Sequence, residues 1–127
     1  GYIVIKDAID KRLCSDLLKD AKSESSFKNA GISSTNDLHI DSTKRRDKTL
    51  WLDEDEACRS EYLAFSSELS QNLNKELYLG ISYYEAHYAL YEEGDFYEKH
   101  LDSFRGSKNR VVTTVLYLNE EWSDKDG

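Results

Sequence analysis

Apolar residues recur every three or four positions in two stretches of the chain and every second position in a third. In the first stretch Leu13, Leu17, Leu18 and Ala21 have the spacing of one helix face, and Asp10 stands where an N-cap belongs. The second runs from Asp53 to Leu79, with Cys58, Tyr62, Phe65, Leu69, Leu73 and Leu77 on one side. Asp53, Glu54, Asp55 and Glu56 fall near its positive N-terminal end, and Gly80 supplies a stop. After Gly80 the period drops to two: Tyr84, Ala86, Tyr88 and Leu90 alternate with Tyr83, Glu85, His87, Ala89 and Tyr91. That alternation predicts a strand. A turn follows at Glu92 to Asp95, then a second strand from Phe96 to Asp102 and a third from Arg110 to Asn119. Tyr2 to Ile5 predicts an additional short strand at the start of the chain. Between the two helices, Ser23 to Thr49 is polar and reads as a long irregular loop, a lid or recognition segment. Helices first and consecutive strands afterwards predict an α+β fold, its antiparallel sheet covered by helices on one side.

Composition narrows the function classes. The chain has 127 residues, 17 Lys and Arg against 25 Asp and Glu, and a formal net charge of −8. Such a surface repels phosphate on average, which argues against nucleic acid as a partner and against the tyrosine-rich strand as a base-stacking platform. Aromatic residues make up 12 % of the chain, more than a disordered acidic tail carries. Lys44, Arg45, Arg46 and Lys48 form a basic island, expected to be solvated. No apolar run reaches the 18 or so residues that a membrane span needs, and the first residues lack a signal peptide's pattern. Two cysteines, Cys14 and Cys58, are expected as free thiols in a cytoplasmic protein. The first residue is Gly rather than Met, so a trimmed N-terminus is expected.

The chemistry concentrates at His100-Leu101-Asp102. On a strand, residues two apart face the same side, so imidazole and carboxylate converge there. On a helix they would diverge. With a third ligand, such a pair holds one face of an octahedral metal and leaves the other open, as in non-haem Fe(II) oxygenases. Glu85 and His87 share a strand face with Tyr91, which makes His87 a pocket-wall residue; His39 in the polar loop carries no such context.

The run from Tyr88 through Tyr91, Gly94, Tyr97, His100 and Asp102 continues to Arg110, then Tyr117-Leu-Asn119 and Trp122. In that order it resembles the 2-oxoglutarate- and Fe(II)-dependent dioxygenases, and within them the prolyl-4-hydroxylase-like branch. Arg46, Asp47 and the Trp51-Leu-Asp53 run support the likeness upstream. The resemblance implies helices packed on an antiparallel double-stranded β-helix of jelly-roll or cupin type. It implies Fe(II) held by His100 and Asp102, with no catalytic residue beyond the metal ligands. Tyr91, Tyr117 and Thr113 would line the 2-oxoglutarate pocket, and Tyr97, Arg110 and His87 would stand on the substrate side. The implied reaction is hydroxylation of a C–H bond, of a prolyl residue in a peptide or protein, with succinate and CO₂ as co-products. Ascorbate would be an accessory reductant.

The same likeness implies a second His and a basic residue some tens of positions further on, to complete the metal triad and hold 2-oxoglutarate. The expectation is one oxygenase domain cut short at its C-terminal side. Residues 1–80 would be a helical support and 81–127 the first barrel strands. A chain of this extent is expected to be inactive alone. The competing expectation is a non-catalytic protein-interaction module that retains the fold.

Overall fold

The computed structural model describes residues 1–34, 37–39, 42–100 and 110–121, with residues 32–34 and 37–39 described by their backbone alone. Its elements in chain order are α1 (Lys11–Ser23), β1 (Lys28–Asn29), β2 (Ile32–Ser34), β3 (Asp37–His39), β4 (Lys48–Trp51), α2 (Ala57–Leu77) and β5 (His87–Leu90).

Helix α1 starts where the pattern places it. The Asp10 carboxylate accepts a hydrogen bond from the Arg12 backbone N–H at 2.8 Å, satisfying one of the donors a helix start leaves open. Leu13 and Leu17 are buried, and Leu17 is among the largest fully enclosed side chains. Helix α2 begins at Ala57, four residues later than the acidic run suggests. The cause is local: the Asp53 carboxylate takes the Asp55 N–H at 3.3 Å and the Arg59 guanidinium at 3.0 Å, which holds this segment in a bend. The helix ends before Gly80. Tyr78 adopts the left-handed conformation (φ 53°), and its N–H donates to the Asn74 carbonyl at 3.0 Å. Asn74 then clamps Ile81 with both ends of its amide, at 2.8 and 2.7 Å. Leu77, expected on the buried face, is exposed.

Strands β1, β4 and β5 form an antiparallel sheet in the order β1-β4-β5, with Thr49 opposite Lys28 on one side and Ala89 on the other. Strands β2 and β3 pair as a separate hairpin. The segment expected to be irregular between the helices therefore carries β1, β2, β3 and the start of β4. Ladder hydrogen bonds are made by the backbone and need no apolar alternation to form. Ala30 and Asp47 lie buried beside the ladder, joined by an Ala30 N–H to Asp47 C=O bond of 2.9 Å.

Four expected strands differ from the structure. Tyr2 to Ile5 has no ladder partner among the described residues, and these side chains are 65–94 % exposed. β-propensity is realised only on a sheet that accepts the segment. The strand expected at 83–91 is confined to His87–Leu90, although Leu52 still donates to the Ala86 carbonyl at 2.9 Å. The strand expected from Phe96 reduces to one antiparallel bridge, Arg45 to Tyr97, and its end at Asp102 lies outside the described residues. Residues 110–119 have no ladder among the described residues, yet the period of two survives there: Leu116 and Leu118 pack on the core while Val115 and Tyr117 face outward. A double-stranded β-helix is not formed among the described residues.

The core centres on Leu13, Leu17 and Tyr88, against which Phe27, Leu50, Leu52, Cys58, Tyr62, Leu116 and Leu118 pack. Both cysteines are free thiols, as expected. At one edge of this core, Arg59 is the buried residue of α2. It donates to Asp20 at 2.7 and 3.1 Å, to Asp53 at 3.0 Å and to Glu24, while the Tyr88 hydroxyl donates to Asp20 at 2.8 Å. Desolvation opposes ionisation of Asp20, but the Arg59 and Tyr88 hydrogen bonds outweigh it and hold its carboxyl below the usual range. The hub ties α1, α2 and β5 together.

Candidate active site

Strand β5 divides its side chains by parity: Tyr88 enters the core, and His87 stands on the other side, where its ring lies 4.9 Å from that of Trp51 on β4. Tyr91 follows at the strand's end. The Glu92–Asp95 turn forms as expected. Asp95 N–H donates to the Glu92 carbonyl at 2.9 Å, the Asp95 carboxylate accepts from Glu92 N–H at 3.0 Å, and Gly94 takes φ 85°. The turn brings Phe96 to Glu98 back beside Lys44 to Arg46. Arg46 N–H donates to the Phe96 carbonyl at 3.0 Å, and Glu98 N–H to the Lys44 carbonyl at 2.9 Å.

This pairing sets Arg45 opposite Tyr97, and Arg45 is not part of a solvated island. Its guanidinium holds the wholly buried Asp47 carboxylate through two bonds, Nε to Oδ1 at 2.5 Å and an Nη to Oδ2 at 2.8 Å. Arg46 lies over the Phe96 ring, and Lys48 pairs with Glu92 at 2.8 Å. Of the four basic residues, three are therefore tied to specific partners across the chain.

His87, Tyr91 and Tyr97, singled out in the sequence, stand by the Arg45–Asp47 pair, with Arg110 on the His87 side and Tyr117 on the Tyr91 side. Tyr91 lies within electrostatic reach of Asp47, Arg45, Tyr97 and Tyr117, and His87 within reach of Arg45, Asp47, Arg110 and Glu85. Burial, with Asp47 second, pushes the Tyr91 phenol up, so it stays a protonated hydrogen-bond donor at neutral pH. Burial, followed by the Arg45 charge, holds the His87 imidazole below its ordinary value and therefore neutral there. His87 keeps a solvent-facing edge despite this crowding. Phenol hydroxyls and a neutral imidazole offer donors and an acceptor to a polar ligand, while the charge of Arg45 is already taken up by Asp47. Thr113 is exposed on the same extended segment as Tyr117.

His100 stacks on Tyr97, with ring centroids 3.6 Å apart and planes 20° from parallel. Its Nδ1 lies 2.8 Å from the Glu98 carbonyl oxygen. A carbonyl only accepts, so the hydrogen belongs on Nδ1, and in the neutral ring Nε2 carries the lone pair. This is the arrangement by which metal-binding histidines are oriented. Its expected partner Asp102 lies outside the described residues. Among the described residues no three His, Cys, Asp or Glu side chains are grouped to hold a metal.

A cavity of 480 Å³ between α2 and residues 81–84, lined by Ser67, Ser70, Asn74 and Tyr84 among others, contains none of these residues. Several of its polar groups serve the fold: Asn74 clamps Ile81, and the Tyr84 hydroxyl donates to the Leu63 carbonyl. What sequence reasoning missed is the Arg45–Asp47 pair. Its signal was present in the two-residue spacing, which on extended chain sets both side chains on one side.

Comparison with known proteins agrees with the motif. Residues 86–127 match the family model of the 2OG-Fe(II) oxygenase superfamily. The chain is similar to the crystal structure of a Pseudomonas putida prolyl-4-hydroxylase, at 29 % identity and a TM-score of 0.73. The match covers 91 % of this chain and 60 % of that one, so the chain spans about three fifths of the hydroxylase's length. No curated protein sequence matches the chain. The resemblance to 2-oxoglutarate/Fe(II) oxygenases of the prolyl-4-hydroxylase kind, over part of the domain, is thus borne out.

Proposed function

We propose, from that family likeness, that the chain belongs to a 2-oxoglutarate- and Fe(II)-dependent dioxygenase that hydroxylates a C–H bond, of a prolyl residue in a peptide or protein. The observation that supports the reading is the hydrogen bond from His100 Nδ1 to the Glu98 carbonyl at 2.8 Å, which would leave Nε2 to a metal. His100 and Asp102 would hold the metal. When bound, Fe(II) and 2-oxoglutarate supply the activation of O₂ for hydroxylation, 2-oxoglutarate ending as succinate and CO₂, with ascorbate as accessory reductant.

This chain's residues then have separate tasks. Tyr91 and Tyr117 offer phenol donors to the 2-oxoglutarate carboxylates, and Thr113 adds a hydroxyl from the segment that carries Tyr117. Arg110 and neutral His87 stand toward the peptide substrate, and the Tyr97 ring shields one face of His100. The helices α1 and α2 support this wall from behind through Tyr88 and the Arg59 hub. The double-stranded β-helix that the family likeness implies would continue from the β4–β5 sheet.

The test is succinate formation by the full-length protein with 2-oxoglutarate and a proline-containing peptide. Succinate and a peptide heavier by one oxygen atom should both require Fe(II), and His100→Ala and Asp102→Ala should abolish both. Normal turnover by the His100→Ala protein would overturn the metal assignment. Absence of any turnover from the intact protein with Fe(II) would favour the non-catalytic interaction module.

A further inference from the structure

Asp47 is wholly buried, and a buried carboxylate needs a cation in fixed geometry beside it. Arg45 supplies that with a two-bond fork at 2.5 and 2.8 Å, so the plane of its guanidinium is set by Asp47 rather than by solvent. The third nitrogen points to the Gly31 carbonyl at 3.5 Å. With its plane fixed, the guanidinium carbon sits 4.3 Å from the centroid of the Tyr97 ring. The backbone bridge between Arg45 and Tyr97 keeps the two side chains opposed. The His100 ring lies 3.6 Å from the same centroid. Two planar groups so near one centroid would overlap if they shared a face, so Tyr97 is sandwiched between guanidinium and imidazole.

We propose that Arg45, clamped by Asp47, is a positioning residue that fixes the Tyr97 ring and, through it, the orientation of the His100 imidazole. The proposal rests on the reading of His100 as a metal ligand. It assigns a role to a residue pair that the family motif around His100 does not include. The Glu98 carbonyl holds one edge of the imidazole and the Tyr97 face holds its plane, so the two together leave Nε2 one direction. Arg45 sets that direction from across the bridge. Lysine in its place would keep the charge beside Asp47 but lose the planar fork.

The experiment uses the full-length protein with Mn(II) as the metal probe, and reads the His100 ring-proton shifts by NMR without metal. Loss of a signal in His100→Ala assigns it to that ring among the histidines of the protein. In the parent protein the Tyr97 ring should move them upfield. Arg45→Lys should return them toward the shifts of a free histidine and weaken Mn(II) binding about tenfold to a hundredfold, as loss of a ligand-orienting partner does. Tyr97→Phe, which keeps the ring, should keep the His100 signals upfield, whereas Tyr97→Leu should lose that shift and weaken Mn(II) binding like Arg45→Lys. Unchanged His100 shifts and Mn(II) affinity in a folded Arg45→Lys protein would overturn the proposal, leaving the ion pair a structural one. Should that variant fail to fold, a Tyr97→Leu protein that binds Mn(II) as tightly as the parent overturns it equally. If His100→Ala binds Mn(II) normally, the metal reading itself fails, a result separate from the shift measurement.

Discussion

Replacing Arg59 by leucine removes one cation from three carboxylates, and the structure says which of the three will matter. Asp53 is 53 % exposed and Glu24 28 % exposed, so solvent can take over much of what Arg59 gives them. Asp20 is only 10 % exposed, and among the described residues its one other side-chain donor is the Tyr88 hydroxyl. The cost should therefore be dominated by one uncompensated carboxylate at the edge of the core, about 3–5 kcal/mol for a broken buried pair. Against a total of about 5–15 kcal/mol for a domain, that is a large fraction of the stability. Urea unfolding at neutral pH should show it, and Arg59→Leu combined with Asp20→Asn should recover part of the loss because no buried charge remains.

The pH dependence carries the sign. The Asp20 carboxyl titrates below its unfolded value of about 3.9 in the parent, so its stabilisation is complete above that pH. It is lost as pH falls through the lower folded value. In Arg59→Leu the desolvation that remains pushes Asp20 the other way, so the gap between parent and variant should close as the solution is acidified. A loss under about 1 kcal/mol, the range of an exposed pair, would refute the reasoning. So would a gap that does not change between neutral pH and acid.

Three further outcomes are expected. Asp10→Ala should cost about 1 kcal/mol in thermal unfolding through the lost cap on Arg12 N–H. Gly94→Ala should destabilise the Glu92–Asp95 turn by about 1 kcal/mol or more purely through its φ of 85°, since an added Cβ would meet nothing within 4 Å; Gly94→Asn, which tolerates that region better, should lose less. His87, held below its ordinary value by burial and by Arg45, should titrate by NMR below about 6.5, the value of an unperturbed imidazole. Stability tied to its neutral form is present above the unfolded value and falls as the solution is acidified through the folded one.

The helices were legible because their determinants are local. Asp10 and the Leu13–Leu17 face define α1 within a few residues, and the structure keeps both. The end of α2 was less so, since a tyrosine rather than the nearby glycine takes the left-handed cap. Sheet membership depends on partners far along the chain. Tyr2 to Ile5 has a strand's composition but no ladder, whereas polar Lys28–Asn29 pairs with Thr49 and Lys48. Of the site, Tyr91, Tyr97, Arg110 and Tyr117 could be named from the order of the motif and His87 from strand parity, and His87, Tyr91 and Tyr97 stand by the Arg45–Asp47 pair. Arg45 was hidden in a run of like charges, because a basic run is usually solvated; its two-residue spacing from Asp47 sets both on one side but carries no sign of how deeply Asp47 is buried. Asp102 and Trp122 lie outside the described residues.

The central claim, an oxygenase that consumes 2-oxoglutarate, is tested most directly by isotopic labelling of dioxygen. The full-length protein is supplied with Fe(II), 2-oxoglutarate and labelled O₂, and the succinate formed is weighed by mass spectrometry. One labelled oxygen atom is expected in each succinate, and no such product from His100→Ala. Succinate without label, or labelled succinate at the parent's rate from His100→Ala, would contradict it.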